Sequence, residues 1–386
     1  MTAQTSVANV NQLSSLIWNI AEILRGHFKQ SEYGKIILPF VLLRRLDAIL
    51  EPTKEAVLQV IASLPDDIPE VAKDQVIRSI IGDNIKVFNL SKLTLKSIYG
   101  QNAEQIHANL IEYIRNFNVD VCDIFIDKFR FPDQLVRLDK AGILYQVLEK
   151  IINADLHPDT VSNQEMGYLF EELIRKFSEI SNETAGEHFT PREVIRLIVD
   201  LILVSDTKAL TTSKIIRTVY DPACGTGGML SITEQRLREL NHEATVDLYG
   251  QEINPEAYAT CKSDMLITGH DASQIAFGNT LTNDAHTEGN GFHYIISNPP
   301  YGVDWKSYKD AIEAEAQSNG FNGRFGAGLP RVSDGQLLFL MHMISKMRND
   351  EAGSRIGIVM NGSPLFTGGA GSGKVKYDGG CWKMTG

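Results

Sequence analysis

Two short stretches of the sequence combine residue types that suit chemistry on a bound ligand. Asn298-Pro299-Pro300-Tyr301 follows the apolar run His293-Tyr-Ile-Ile-Ser297. Two prolines hold the backbone and remove two N–H donors, which leaves a rigid corner with an amide oxygen, backbone carbonyls and an aromatic face. Such a corner accepts hydrogen bonds from a planar NH₂ group while stacking on its ring. An ordinary strand-ending turn explains Asn-Pro, but not the strand, the double proline and the tyrosine together. The second stretch, Asp221-Pro-Ala-Cys-Gly-Thr-Gly-Gly228, lies between an apolar run and a helical pattern from Met229. Its glycines let the backbone turn sharply and approach a ligand closely, and the helix start offers free N–H groups. A tight strand-to-helix turn with no ligand gives the same pattern. Glu252 closes the next apolar run, where dinucleotide folds bind ribose hydroxyls; alone it also reads as a surface carboxylate.

These residues need a scaffold that brings strand ends together. Short β-rich runs at Ile216–Tyr220, Val246–Gly250, His293–Ser297 and Arg355–Met360 alternate with helical patterns. Alternation of this kind means a parallel sheet covered by helices, the doubly wound α/β class. Thr190-Pro-Arg-Glu193 has the form of a capping box ahead of the helix through Leu201. Residues 10 to about 180 instead read as successive amphipathic helices, expected near 13–24, 36–50, 70–82, 103–116, 133–152 and 164–179. Their apolar stripes are core. Arg44 and Arg45 read as solvated or packed stems rather than as a nucleic-acid patch. The expected division is a helical domain over 1–155, an α/β domain over 156–373 and an unrelated tail over 374–386.

Composition narrows the function classes. With 386 residues, 43% apolar and 22% charged, the chain is an ordinary globular sequence of two or three domains. The net charge is −11; residues 1–155 carry 17 basic and 19 acidic side chains, the remainder 20 and 29. Phosphate neutralisation by Lys and Arg supplies most non-specific nucleic-acid binding, so a partner must bring the positive surface if DNA is the substrate. Cys122, Cys224, Cys261 and Cys381 form no CxxC pair, and no Cys/His cluster has metal-ligand spacing, so no metal is expected. No signal-peptide layout or membrane-length apolar run occurs, and a cytoplasmic location is expected.

In this order the motifs resemble the S-adenosylmethionine-dependent adenine-N6 DNA methyltransferases, and more narrowly the modification subunits of type I restriction–modification systems. The likeness runs from about residue 10 to 373. It includes Leu16 to Leu50, Ala185-Gly-Glu-His-Phe-Thr-Pro-Arg192, Asp221–Gly228, Glu252, Gly278-Asn-Thr-Leu281, Asn298–Tyr301, Ser333-Asp-Gly335 and Asn361-Gly-Ser-Pro-Leu-Phe366. It implies a helical N-terminal domain and a mostly parallel Rossmann-like methyltransferase sheet that lacks its last strands. The resemblance further implies that Phe189, Thr190 and Pro191 border the methionine part of S-adenosyl-L-methionine. Asp221, Cys224, Gly225, Thr226, Gly227 and Gly228 would wrap its amino-acid portion. Glu252 would hold the ribose, and Asn279 would sit near the adenine. The family usually carries Asp at that last position, so weakened cofactor recognition is expected.

Asn298, Pro299, Pro300 and Tyr301 are the expected catalytic corner. The N6 lone pair of adenine is delocalised into the ring; acceptors at the Asn298 side chain and the Pro299 carbonyl would draw it towards tetrahedral geometry. No Pro-Cys pair occurs, which argues against cytosine-C5 chemistry. Residues 302–332 read as a loop ahead of a helix, with Arg324 and Arg331 either touching phosphate or simply solvated. Asp334 reads equally as a functional residue and as a helix cap. The implied partners are DNA, a separate specificity subunit, a second modification subunit and a restriction subunit. Beyond Gly373 the likeness stops, which reads as a truncated or frameshifted product. Two other readings remain: a catalytically inactive assembly component and a protein-glutamine N5 methyltransferase.

Overall fold

The structure is a computed structural model. It describes residues 15–361 except 66–67, 82–86, 164, 168, 171, 174–175, 177–189, 205, 207 and 209–210. Contacts divide the chain into two compact units, Met1–His188 with Pro255–Ala272, and Phe189–Asn254 with Ser273–Gly386.

The first unit is helical. Residues 15–24 form α1. Then come α2 (Tyr33–Leu50), α3 (Lys54–Ser63), α4 (Glu70–Ile81), α5 (Leu95–Tyr99), α6 (Ala103–Arg115), α7 (Val119–Cys122), α8 (Phe131–Lys140) and α9 (Leu144–Ile152). α2 is buried along most of its length, including Ile36, Ile37, Phe40, Val41 and Leu43, because its sequence is apolar on every side. The ring of Phe131 in α8 meets Phe40 edge-on at 4.8 Å. The single helix expected over 133–152 is two helices, divided at Gly142, whose φ of +70° suits glycine. α5 and α7 are too short, at 5 and 4 residues, for a 3.6-residue period to show.

Arg45 is fully buried and not solvated. Its Nη1 donates to the carbonyls of Leu156 (2.6 Å) and Val161 (2.7 Å), and its Nη2 to Asn163 Oδ1 (2.6 Å). These bonds tie residues 156–163 to α2. By contacts the cut falls at 188/189, downstream of the expected 155/156. The helix Pro255–Thr268 also joins this unit, where Lys262 Nζ lies 3.2 Å from Asp120 Oδ1.

The second unit holds α10 (Arg192–Leu203), β1 (Ile216–Asp221), α11 (Gly228–Leu240), β2 (Thr245–Glu252), β3 (Ile275–Phe277), β4 (Tyr294–Ser297), α13 (Lys309–Asn319), α14 (Gln336–Ser345) and β5 (Arg355–Ile358); α12 is Pro255–Thr268 of the other unit. The five strands are parallel in the order β3-β2-β1-β4-β5. All four residues of β4 are buried, as expected of a strand covered on both faces. β3 escaped the sequence reading because three residues carry no period. A Cβ on Gly357 of β5 would lie 2.4 Å from Ile198 Cγ2, so α10 reaches the sheet where that strand has no side chain. The chain moves outward from β1 through β2 to β3, then returns to β4 on the other side. The carboxyl ends of β1 and β4 therefore flank the topological switch point, where open α/β sheets bind ligands. The 374–386 tail and residues 362–366 lie outside the described residues.

Candidate functional site

β1 ends on Asp221, and the chain turns through Pro222–Gly227 into α11. Gly225 (φ +54°) and Gly227 (φ +89°) both adopt the left-handed region, which explains two of the glycines. Nothing lies within 4 Å of where a Cβ on Gly225 would stand, so the turn presents an open backbone surface there. The loop is held from β2. Cys224 N donates to the Gln251 carbonyl (3.1 Å) and Gly225 N to Glu252 Oε2 (2.8 Å). Glu252 Oε1 accepts from Asn254 N (2.7 Å). A Cβ on Gly250 would lie 2.9 Å from Cys224 Sγ, so this glycine is needed for close approach. Thr280 Oγ1 donates to the Pro222 carbonyl (2.6 Å) and brings the third strand end to the same turn. Asn279 Oδ1 accepts from Leu281 N (2.9 Å), so its oxygen shapes its own turn.

Asp221 is buried, and its Oδ1 accepts from Ala223 N (2.9 Å) and from Ser297 Oγ (2.8 Å). Burial pushes its carboxyl up to about 7, aided by the like charge of Glu252 and opposed by those two donors. Ser297 was not anticipated, although a small polar residue closing an apolar strand directly before Asn298 was a usable signal. Its bond ties the end of β4 to the end of β1.

Asn298 Nδ2 donates to Thr190 Oγ1 (2.8 Å), and the Tyr301 hydroxyl donates to Asn298 Oδ1. The expected capping box is absent. α10 starts at Arg192 with Pro191 as its flanking residue and no side-chain cap, while the Pro191 carbonyl accepts from Val194 N and Ile195 N. The Thr190 hydroxyl is engaged with the amide instead. That bond orients the amide, so Oδ1 is the atom presented to the phenol. Partial burial raises the Tyr301 pKa, so its hydroxyl remains a donor. Pro299 is buried and Pro300 half-buried. Thr226 is half-buried within the turn, Gly228 opens α11, and Phe189 lies outside the described residues.

Residues 302–332 are not a loop. They contain α13, and Trp305 closes their base by donating from Nε1 to the Arg331 carbonyl (2.9 Å) and from its backbone to Val332 O (2.9 Å). Arg324 turns inward, bonded to Glu315, and is not available to phosphate, whereas Arg331 is exposed. Phe321, in the short turn after α13, is 91% exposed. Asp334 does not cap α14; its Oδ1 accepts from Gln336 Nε2 (3.3 Å). A cleft of about 910 Å³ in the same unit includes Asn283, Arg324, Leu340 and Ile344 among its walls, but not Asp221, Gly225, Glu252 or Asn298.

The model of the family described as N-6 DNA Methylase matches residues 161–377, more than half of the chain. The chain belongs to the N-6 DNA methylase family. A second model, the HsdM N-terminal domain, matches residues 13–151. Among curated relatives, the type I restriction enzyme MjaIX methylase subunit of Methanocaldococcus jannaschii is 23% identical over 303 residues, covering 75% of the chain and 51% of that relative. The MpnII methylase subunit of Mycoplasma pneumoniae is 32% identical over 154 residues, covering 37% of the chain and 26% of its own length. The chain thus spans about half or less of these relatives. In fold it is similar to the type I restriction-modification system methyltransferase subunit from Streptococcus thermophilus, with a TM-score of 0.68, 19% identity, and coverage of 95% of this chain and 77% of that one.

Proposed function

We propose that the chain is the modification subunit of a type I restriction–modification system and transfers a methyl group from S-adenosyl-L-methionine to N6 of adenine in DNA. The observation that carries this is the Ser297–Asp221 bond, which joins the glycine turn and the Asn298 corner at the carboxyl end of the sheet. The residues present suit the cofactor. Gly225 leaves open space beside the turn, and Glu252, fixed by the Gly225 and Asn254 N–H groups, places a carboxylate at the end of β2 where a ribose would lie. The cofactor, when bound, supplies a methyl group on a positively charged sulfur.

The protein's part is to make the amine a nucleophile. Asn298 Oδ1 and the Pro299 carbonyl accept its two N–H groups, which localises the lone pair and stabilises positive charge as it develops on N6. One preorganised dipole of this type contributes ~3 kcal/mol, against ~1 kcal/mol for an ordinary net hydrogen bond. The incoming amine must displace the Tyr301 hydroxyl from Asn298, which frees the ring to stack on the base. Extruding a base costs a few kcal/mol, and one stacked aromatic returns about 1–3 kcal/mol. Tyr301 alone barely offsets that cost, so other contacts are required. A specificity subunit supplies them in this reading and also the positive surface that an acidic chain lacks; a second modification subunit and a restriction subunit complete the assembly. With DNA as substrate the site of action is the cytoplasm. Among the described residues no helix is long and apolar enough to cross a membrane.

The test is incubation with methyl-labelled cofactor and DNA, with and without a cognate specificity subunit. Label on adenine N6 only in its presence is expected. Label on protein glutamine, or none from a folded chain, overturns the reading.

A further inference from the structure

Arg324 uses all five of its N–H donors inside the second unit. Nε donates to Glu315 Oε1 (2.8 Å), and Nη2 to Glu315 Oε2 (2.5 Å) and the Leu281 carbonyl (3.1 Å). Nη1 donates to the Thr280 carbonyl (2.7 Å) and to His342 Nδ1 (3.1 Å). Its side chain is 10% exposed. A guanidinium only donates, so Nδ1 of His342 is the acceptor and Nε2 carries the proton towards the Tyr220 hydroxyl, 2.9 Å away. Burial pushes His342 down to about 3, so the ring keeps that neutral form. Tyr220 directly precedes Asp221. One side chain therefore joins α13, the turn after Asn279, α14 and the end of β1. A surface ion pair needs only the carboxylate. The two carbonyls belong to the turn whose Thr280 hydroxyl also closes on Pro222, and without the guanidinium both lose a charged donor.

We propose that Arg324 is a positioning residue that couples the 302–332 segment, on the amine side of the site, to the Gly278–Leu281 turn on the cofactor side, so that ligand binding at the turn is transmitted to the segment. The ligand in this statement rests on the cofactor reading above; the coupling itself does not. Lysine at this position keeps the charge but not the planar fork, so it holds Glu315 or the carbonyls and not both.

The test compares the 386-residue wild type with R324K and R324Q by amide exchange and by calorimetry with S-adenosylhomocysteine. Without ligand, R324Q is expected to raise exchange at least tenfold at Leu281, Thr282 and Asn283, whose N–H groups close the Asn279 turn, and to leave β2 unchanged. With ligand, α13 amides gain protection in the wild type and not in R324Q. R324Q binds about tenfold more weakly and R324K falls between. In the methylation assay with the specificity subunit present, the cofactor KM rises and kcat stays within twofold. Unchanged exchange at the turn, or ligand protection of α13 that persists in R324Q, overturns the proposal. If the wild type binds no S-adenosylhomocysteine, the cofactor reading falls and the exchange at the turn alone decides the coupling. If R324Q does not fold, R324K gives the same comparison with a smaller effect.

Discussion

The two halves of the site are built from different materials. The proposed cofactor side is mostly backbone: two left-handed glycines, a glycine in β2 that admits Cys224, and N–H groups held by Glu252 and Gln251. The proposed amine side is one amide, oriented by the Thr190 hydroxyl and closed on the Tyr301 hydroxyl. Backbone turns braced from neighbouring strands are preformed, whereas a side chain paired with its own neighbour must exchange that partner before it acts. Cofactor binding should therefore depend on conformation and charge already in place. Methyl transfer should depend on single hydrogen bonds that form only with substrate. The two sides meet at the Ser297–Asp221 bond.

Asn298→Ala separates the halves most sharply. It is expected to lower kcat by about 10²–10³-fold, the loss typical of one preorganised transition-state partner, and to leave cofactor affinity within twofold by calorimetry. An equal loss in both would break the distinction. The next effect lies on the cofactor side. Asp221, pushed up to about 7, holds a proton below that pH in the unliganded protein; under the proposed function the cofactor's ammonium favours the carboxylate. Affinity is thus expected to fall about tenfold per pH unit below 7 and to level off above it, and Asp221→Asn should flatten that profile. Thr190→Val releases the amide from its orienting acceptor. A roughly tenfold drop in kcat is expected, comparable to one to two net hydrogen bonds, and Thr190→Ser should restore it. The smallest effect comes from Asn279→Asp, which supplies the carboxylate usual in the family. A gain of about threefold in cofactor affinity, well under 1 kcal/mol, is expected in a direct titration.

Much of the site was legible because its residues cluster locally. The left-handed turn after β1 and the diproline corner are each a few consecutive residues whose types constrain the backbone, and four of the five strands announced themselves as apolar runs. The arginines were only partly legible. Arg45 reads as a solvated or packed stem and Arg324 as solvated or touching phosphate; each binds carbonyls that appear only after folding, Arg45 at residues 156 and 161 and Arg324 at 280 and 281. Thr190 is the opposite case: its local pattern is that of a helix cap, yet its partner lies 108 residues away.

From its residues alone, the chain determined the conformations that glycine and proline impose, the parallel-sheet class and the two motifs proposed to carry chemistry. These depend on interactions between near neighbours, which a sequence displays directly. Tertiary structure decided which hydroxyl orients Asn298, which carboxylate braces Gly225, and that segment 302–332 is anchored inward by Arg324. Each is a hydrogen bond between distant residues, and its partner is chosen by strand order and burial, not by the sequence around it.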